Sequence, residues 1–252
     1  MKLESLLQYI GEYLAVDGYP DYPGALNGLQ VGGPDEVQSL AVAVDASEAS
    51  ILEAVEKGAD LLIVHHGLFW GGMRPLTGPL LRRVRPLIEN GLALYSCHLP
   101  LDGHSEVGNS ALLGRALGLE LDGQFAAFQG AQLGWHGRPG APLDLPGLVS
   151  QAERVLGSPV HTIPGGGPRI DRVGVVTGAG ASFIEEAAGL GLDVLVTGEG
   201  PHHAHFDAME LGIHVIFGGH YATETFGVRA LGAHLAERFD LRCTFVDQPT
   251  GL

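Results

Sequence analysis

Five side chains in this sequence have the types and spacings needed to hold divalent metal: His65, His66, Asp102, His220 and Glu224. Three imidazoles and two carboxylates suit a pair of ions about 3.5–4 Å apart. Histidine–carboxylate donor sets favour Zn, Fe, Mn, Co or Ni over thiolate-seeking ions. Five donors shared between two ions leave coordination positions for water, the mark of a reactive site rather than a closed structural one. Water held by such a pair loses a proton near neutral pH and can attack an electrophilic carbon or phosphorus. Taken singly, each piece also has an ordinary reading. The His65–His66 pair could sit on the surface, Asp102 could cap a helix or close a turn, and the H-x-x-x-E spacing of His220 and Glu224 could be an i,i+4 ion pair.

Further groups surround these five in the chain. Glu199 could be a ligand or a general base. His98 and His202 are candidates for proton transfer or for orienting the ligands, as are His104 and His203. Trp70 could form an apolar wall, while Phe69 reads as core. Cys97 reads as a buried strand residue, because nothing near it in sequence would activate a thiolate. The chain has no GxxxxGK[ST] loop and no GxSxG elbow. VTGAGAS reads as the start of a helix, with room to cradle a phosphate.

The elements that must position these residues occur twice. VAVDASEASILEAVEKGADLLIVHHG (42–67) matches GVVTGAGASFIEEAAGLGLDVLVTGEG (174–200), with Asp60 and Asp193 offset by 133 (193 − 60). The same offset places Glu199 at the position of His66. Farther on, His98 and Asp102 align with His220 and Glu224, each at an offset of 122 (220 − 98, 224 − 102). Each copy reads strand–helix–strand–helix–strand–helix. Apolar runs such as LLIV and VLVT are strands covered on both faces, so the expected fold is α/β with mostly parallel sheets. Sites in such sheets form beyond the carboxyl ends of the strands, which is where both polar clusters fall. The expected layout is two similar βα lobes, 1–122 and 169–252, with a short connector at 123–168 and the metal site in the crevice between the lobes. Within the connector, GQFAAFQGAQLGWHGRPG could hold one or two strands. LDLPGLVSQAERVLG reads as a helix capped by Asp144 with Pro146 in its first turn. Pro100 argues for a loop at HLPLD.

Composition narrows the function. A formal net charge of −15, from 14 Lys+Arg against 29 Asp+Glu, argues against general nucleic-acid binding. Bound metal could still attract a small anionic or nucleotide substrate. Two cysteines outside any CxxC pattern give no disulfide framework. The first residues have the Leu3, Leu6, Leu7, Ile10, Leu14 spacing of an amphipathic helix and lack a signal peptide's pattern. With no apolar run long enough to span a bilayer, the expectation is a cytoplasmic protein away from membranes.

VHHGLFW, HLPLD, TGEGPHH and GGHYATE, with NGLQVGG near residue 27, resemble the GTP cyclohydrolase 1 type 2-like family. Its members are also described as interacting-factor-three-like dinuclear-metal hexameric proteins. The resemblance implies two α/β lobes, a hexameric toroid with sites facing its interior, and metal ligands at His65, His66, Asp102, His220 and Glu224. It also implies that this short connector lacks the inserted domain of some relatives. Two divalent ions per chain and hydrolysis of a GTP-like nucleotide are the leading expectation. A non-catalytic metal-holding ring that binds a protein partner or nucleic acid, or that delivers metal, is the alternative.

Overall fold

Burial of the apolar runs accounts for the elements that form. A computed structural model describes residues 1–252. The chain starts with α1 (Leu3–Tyr13), which buries Leu3, Leu6 and Ile10. There follow β1 (Gly28–Val31), β2 (Ser39–Asp45), α2 (Glu48–Glu56), β3 (Leu61–His66), α3 (Gly78–Glu89), β4 (Ala93–Ser96), α4 (Leu99–Asp102) and α5 (Asn109–Ala116). The middle of the chain holds β5 (Leu119–Phe128), β6 (Ala131–Pro139), α6 (Leu145–Leu156) and β7 (His161–Pro164). The last part holds β8 (Val173–Val176), α7 (Ile184–Gly189), β9 (Val194–Thr197), α8 (Ala204–Leu211), β10 (His214–Phe217), α9 (His220–Phe239) and β11 (Arg242–Phe245). No helix is long and apolar enough to cross a membrane.

Two compact units result. The first comprises Met1–Leu101 and Gly227–Gln248, the second Asp102–Phe226 and Pro249–Leu252. These bounds follow contacts, whereas the lobes at 1–122 and 169–252 follow the repeat. The first unit has a five-stranded sheet ordered β1-β4-β3-β2-β11. Its inner strands are parallel, and β1 is antiparallel to β4. Pairing of β11 with β2 carries residues 227–248 into this unit. Ala41, Ala43, Leu62, Val64 and Leu94 from the sheet pack with Ile51 and Ala54 of α2 and Val84 and Leu87 of α3.

The second unit has a six-stranded sheet ordered β5-β6-β8-β9-β10-β7. Its β8, β9 and β10 are parallel, and antiparallel strands lie on either side. Residues 123–168, the expected connector, lie within this unit. The hairpin β5–β6 extends one edge of this sheet and β7 closes the other. The helix between them starts as expected: Asp144 Oδ1 accepts from the Gly147 N–H, and Pro146 sits in the first turn.

The internal repeat persists down to hydrogen bonds. In β2–β3 the register pairs Leu40 with Leu61, and in β8–β9 it pairs Val173 with Val194, so both partners lie 21 residues apart (61 − 40, 194 − 173). Asp60 Oδ2 accepts from the N–H groups of Gln38 and Ser39. Asp193 Oδ2 accepts from those of Asp171 and Arg172, each offset by 133 from its counterpart. Each aspartate satisfies two donors at the start of a strand, so each copy begins its neighbouring strand in the same register.

Candidate metal centre

In the first unit the site grows from the ends of β3 and β4. Both strands run parallel, so their carboxyl ends emerge together. His65 is buried and donates through Nδ1 to the Cys97 carbonyl oxygen at 3.1 Å. His66 is paired in register with Asp45 at the end of β2 and donates through Nδ1 to Asp45 Oδ1 at 2.9 Å. A carbonyl and a carboxylate can only accept, so each neutral ring carries its proton on Nδ1 and offers Nε2 as the ligand atom. Adjacent strand residues face opposite ways. Here the pair lies at the last positions of β3, and the two ring centroids are only 4.7 Å apart.

His98 joins them. Its Nδ1 donates to Asp21 Oδ1 at 2.8 Å, and its own N–H donates to Asn27 Oδ1 at 2.8 Å. The Asn27 side chain donates in turn to Asp21 Oδ2 at 2.8 Å. Burial works against the charged Asp21 carboxylate, but the hydrogen bond and charge of His98, with Asn27 and the Leu99 N–H, outweigh it and hold its pKa below the ordinary carboxylate value. Trp70 packs edge-on to His98 at 4.7 Å, while Phe69 packs against the core of this unit. Gln30 accepts from the Leu68 N–H and donates to the Ala25 and Leu26 carbonyls, tying NGLQVGG to the HHG turn.

In the second unit the residues come from α4, α9 and the β8 and β9 ends. Pro100 lies within α4 rather than in a loop. The four-residue helix tolerates it because first-turn N–H groups have no intrahelical partner to lose. Asp102 is buried at the end of α4 and accepts from Asn109 Nδ2 at 2.8 Å and Thr177 Oγ1 at 3.3 Å, both on Oδ1. His220 and Glu224 lie one turn apart at the start of α9, and His220 Nε2 is 3.2 Å from Glu224 Oε2. Glu224 is only 3% exposed, and its carboxylate lies within 4.8 Å of that of Asp102. Glu199, at the repeat position of His66, accepts from His220 Nδ1 at 2.8 Å. It therefore orients His220 as Asp45 orients His66.

The hydrogen bond to Glu224 raises the His220 pKa to about 9, against the effect of burial, and the charge of Glu224 and the bond to Glu199 add to the rise. Metal-free protein therefore carries His220 protonated near neutral pH. That contribution to stability is complete below the ordinary value of 6.5 and is lost as pH rises through about 9. A ligand must shed this proton, so metal uptake at about pH 7.5 should release at least about one proton per chain. Calorimetric heats in buffers of different ionisation enthalpy measure this directly, and heats independent of the buffer would refute it.

The remaining histidines separate by position. His202 lies in an exposed turn with Phe206 as ring neighbour. His203 instead lines a recess of about 600 Å³ with Ser182, Glu185, Glu199, Pro201 and Asp207. His104 Nδ1 accepts from the Glu106 and Val107 N–H groups, a turn-closing role. Asp21, Asn27, Asp45, Asn109 and Thr177 were not legible as site residues. Only NGLQVGG carried a sequence signal, through its place among the family motifs.

The chain is similar over its whole length to known proteins. A Deinococcus radiodurans protein named GTP cyclohydrolase 1 type 2 homolog is 45% identical over 249 residues, covering 99% of this chain and 94% of its own. The Escherichia coli K12 protein of the same name is 41% identical over 99% of both chains. A crystal structure of a Thermus thermophilus protein superposes with a TM-score of 0.91 at 39% identity, covering 100% of both chains. The family model described as Duf34/NIF3 (NGG1p interacting factor 3) matches residues 1–250, and this chain belongs to that family.

Proposed function

We propose that His65, His66, Asp102, His220 and Glu224 together hold two divalent ions, and that the protein is a metal-dependent hydrolase of a nucleotide-like substrate. One observation carries this reading. All three imidazoles are fixed through Nδ1, to the Cys97 carbonyl, Asp45 and Glu199, which makes Nε2 the ligand atom of each. Two nearly buried carboxylates, Asp102 and Glu224, complete a donor set that fits Zn, Fe, Mn, Co or Ni. When bound, such ions supply Lewis acidity and lower the pKa of water.

The protein's own residues do the rest. Asn109 and Thr177 hold Asp102 by one oxygen, while Asp45 and Glu199 keep His66 and His220 in one tautomer. In this reading Glu199 is a positioning residue. The recess beside it is lined by Glu185, Glu199, Asp207 and His203, with no Lys or Arg. Such a lining accepts N–H donors, as the edge of a guanine base presents, and leaves phosphates to metal. The name carried by the relatives supports a GTP-like substrate. We place His98 beside the centre as a proton-transfer or orienting group and give His202 no part in it. The assembly is a homo-oligomer, a hexamer as the family resemblance implies.

Elemental analysis of protein purified without added metal, followed by turnover assays on a nucleotide and phosphoester panel with the ions found, tests this function. Two ions per chain and hydrolysis of a purine nucleotide are expected. Two tightly held ions with no turnover would refute the hydrolase and leave a metal-holding ring or metal delivery as the role.

A further inference from the structure

We propose that the first unit carries a one-ion site of its own, in which His98 joins His65 and His66 as a third imidazole ligand. It rests on the reading above that His65 and His66 hold metal, and it replaces the proton-transfer or orienting role given there to His98. It adds that one borderline divalent ion, such as Zn²⁺ or Co²⁺, is held with no donor from the second unit.

Three observations point to it. First, each of the three rings is tethered through Nδ1: His65 to the Cys97 carbonyl, His66 to Asp45 and His98 to Asp21. Two of these acceptors are carboxylates, the outer partners that fix a ligating imidazole and raise its basicity. Second, the ring spacing fits. The donor atoms of the three lie within 4.8 Å of one another, and the ring centroids are 4.7, 4.8 and 5.5 Å apart. An ion about 2.0–2.1 Å from each nitrogen, with ring centres about 1.1 Å farther out, puts centroids roughly 4.5–5.3 Å apart. The observed triangle needs only a few tenths of an ångström of adjustment.

Third, the clamp on His98 is elaborate for a residue outside the five ligands. Four hydrogen bonds link the His98 ring and N–H, Asn27, Asp21 and the Leu99 N–H. The His98 and Asp21 side chains are 11% and 7% exposed, and Trp70 packs edge-on against the His98 ring. Ordering so many groups costs conformational entropy and desolvation. A ring held this firmly beside two pinned imidazoles is built as a ligand. Three imidazoles leave a fourth position open to water or an anion. The first unit is then where a first ion docks.

The test uses the full chain with both α9 donors removed, His220→Ala/Glu224→Ala. This variant is titrated with Co²⁺, followed by visible absorption, and its metal content is measured after desalting. It is expected to retain about one ion per chain. Adding His98→Gln should weaken binding by at least about tenfold, on the scale at which losing even an outer partner costs roughly 10–100-fold. Glutamine can still donate to Asp21, so the buried carboxylate keeps a partner and the fold is preserved. A folded double variant that binds no ion, or an affinity unmoved by His98→Gln, overturns the inference. Either result leaves the five-ligand centre standing if the unaltered protein holds two ions. One ion in both the unaltered protein and the double variant would support the first-unit site and sink the two-ion reading.

Discussion

Glu224→Ala should reduce the metal content from two ions per chain to about one, and His66→Ala should take it below one. Metal analysis after gel filtration reads both. The expected loss of affinity exceeds the roughly 10–100-fold that removal of an outer partner costs, because a direct donor disappears. The two variants differ for a stated reason. His66 belongs to the five-residue set and to the three-imidazole cluster of the first unit, whereas Glu224 belongs only to the former. Glu224→Ala has a second readout in metal-free protein. Its carboxylate is the largest influence raising the His220 pKa to about 9, so the imidazole should titrate nearer its ordinary value of 6.5. Two ions retained in both variants would remove His66 and Glu224 from the ligand set. Equal losses in both would speak against His98 alone.

Much of this arrangement is legible in the residues because it is local or periodic. LLIV and VLVT are fully buried strand segments, as continuous apolar runs should be. The offset linking Asp60 to Asp193 predicts equivalent positions, and the structure gives those two residues the same pair of backbone partners. Asp144 caps its helix because the signal lies within four residues. What escapes the sequence is long-range. Asp21 stands in PDYPG, where nothing local marks a site residue, and its partner His98 is 77 residues away. Asp45 reads as a strand end, and its role depends on the register that sets it opposite His66. The placement of β5 and β6 at one sheet edge and β7 at the other is a choice among distant pairings that no local pattern encodes. Pro100 misleads for a different reason: the rule against helical proline is a rule about interiors, and α4 has none.

The repeat also sets different chemistry at matched positions of the two copies. At the end of β3 stands His66, held by Asp45; at the matched position after β9 stands Glu199, which holds His220 instead. One copy contributes a donor where the other contributes the acceptor that aims a donor. A carboxylate–imidazole pair therefore appears in both units, although the residue supplied by the repeat position is reversed. Near the β8 end, against Glu224 and the Nε2 side of His220, the chain omits a side chain.

That omission is Gly178, and Gly178→Ala should disable the second unit's donors although none of them is itself substituted. Its φ is +63°, a left-handed conformation in which an alanine costs about 1–2 kcal/mol. A methyl group there would press on Glu224 Oε1 and come within 3.4 Å of His220 Nε2. Glu224 has little freedom to yield, being 3% exposed, and the backbone N–H of Gly178 is already committed to Thr223 Oγ1 at 3.1 Å. The added carbon therefore displaces the carboxylate from His220. Expected results are a loss of about 1–3 kcal/mol in unfolding free energy of the metal-free protein and metal content reduced to that of Glu224→Ala. Denaturant unfolding and metal analysis measure the two effects separately. A variant that is destabilised yet holds two ions would show that Glu224 can move without losing its role. That outcome would remove the close packing at Gly178 as the reason the carboxylate faces His220.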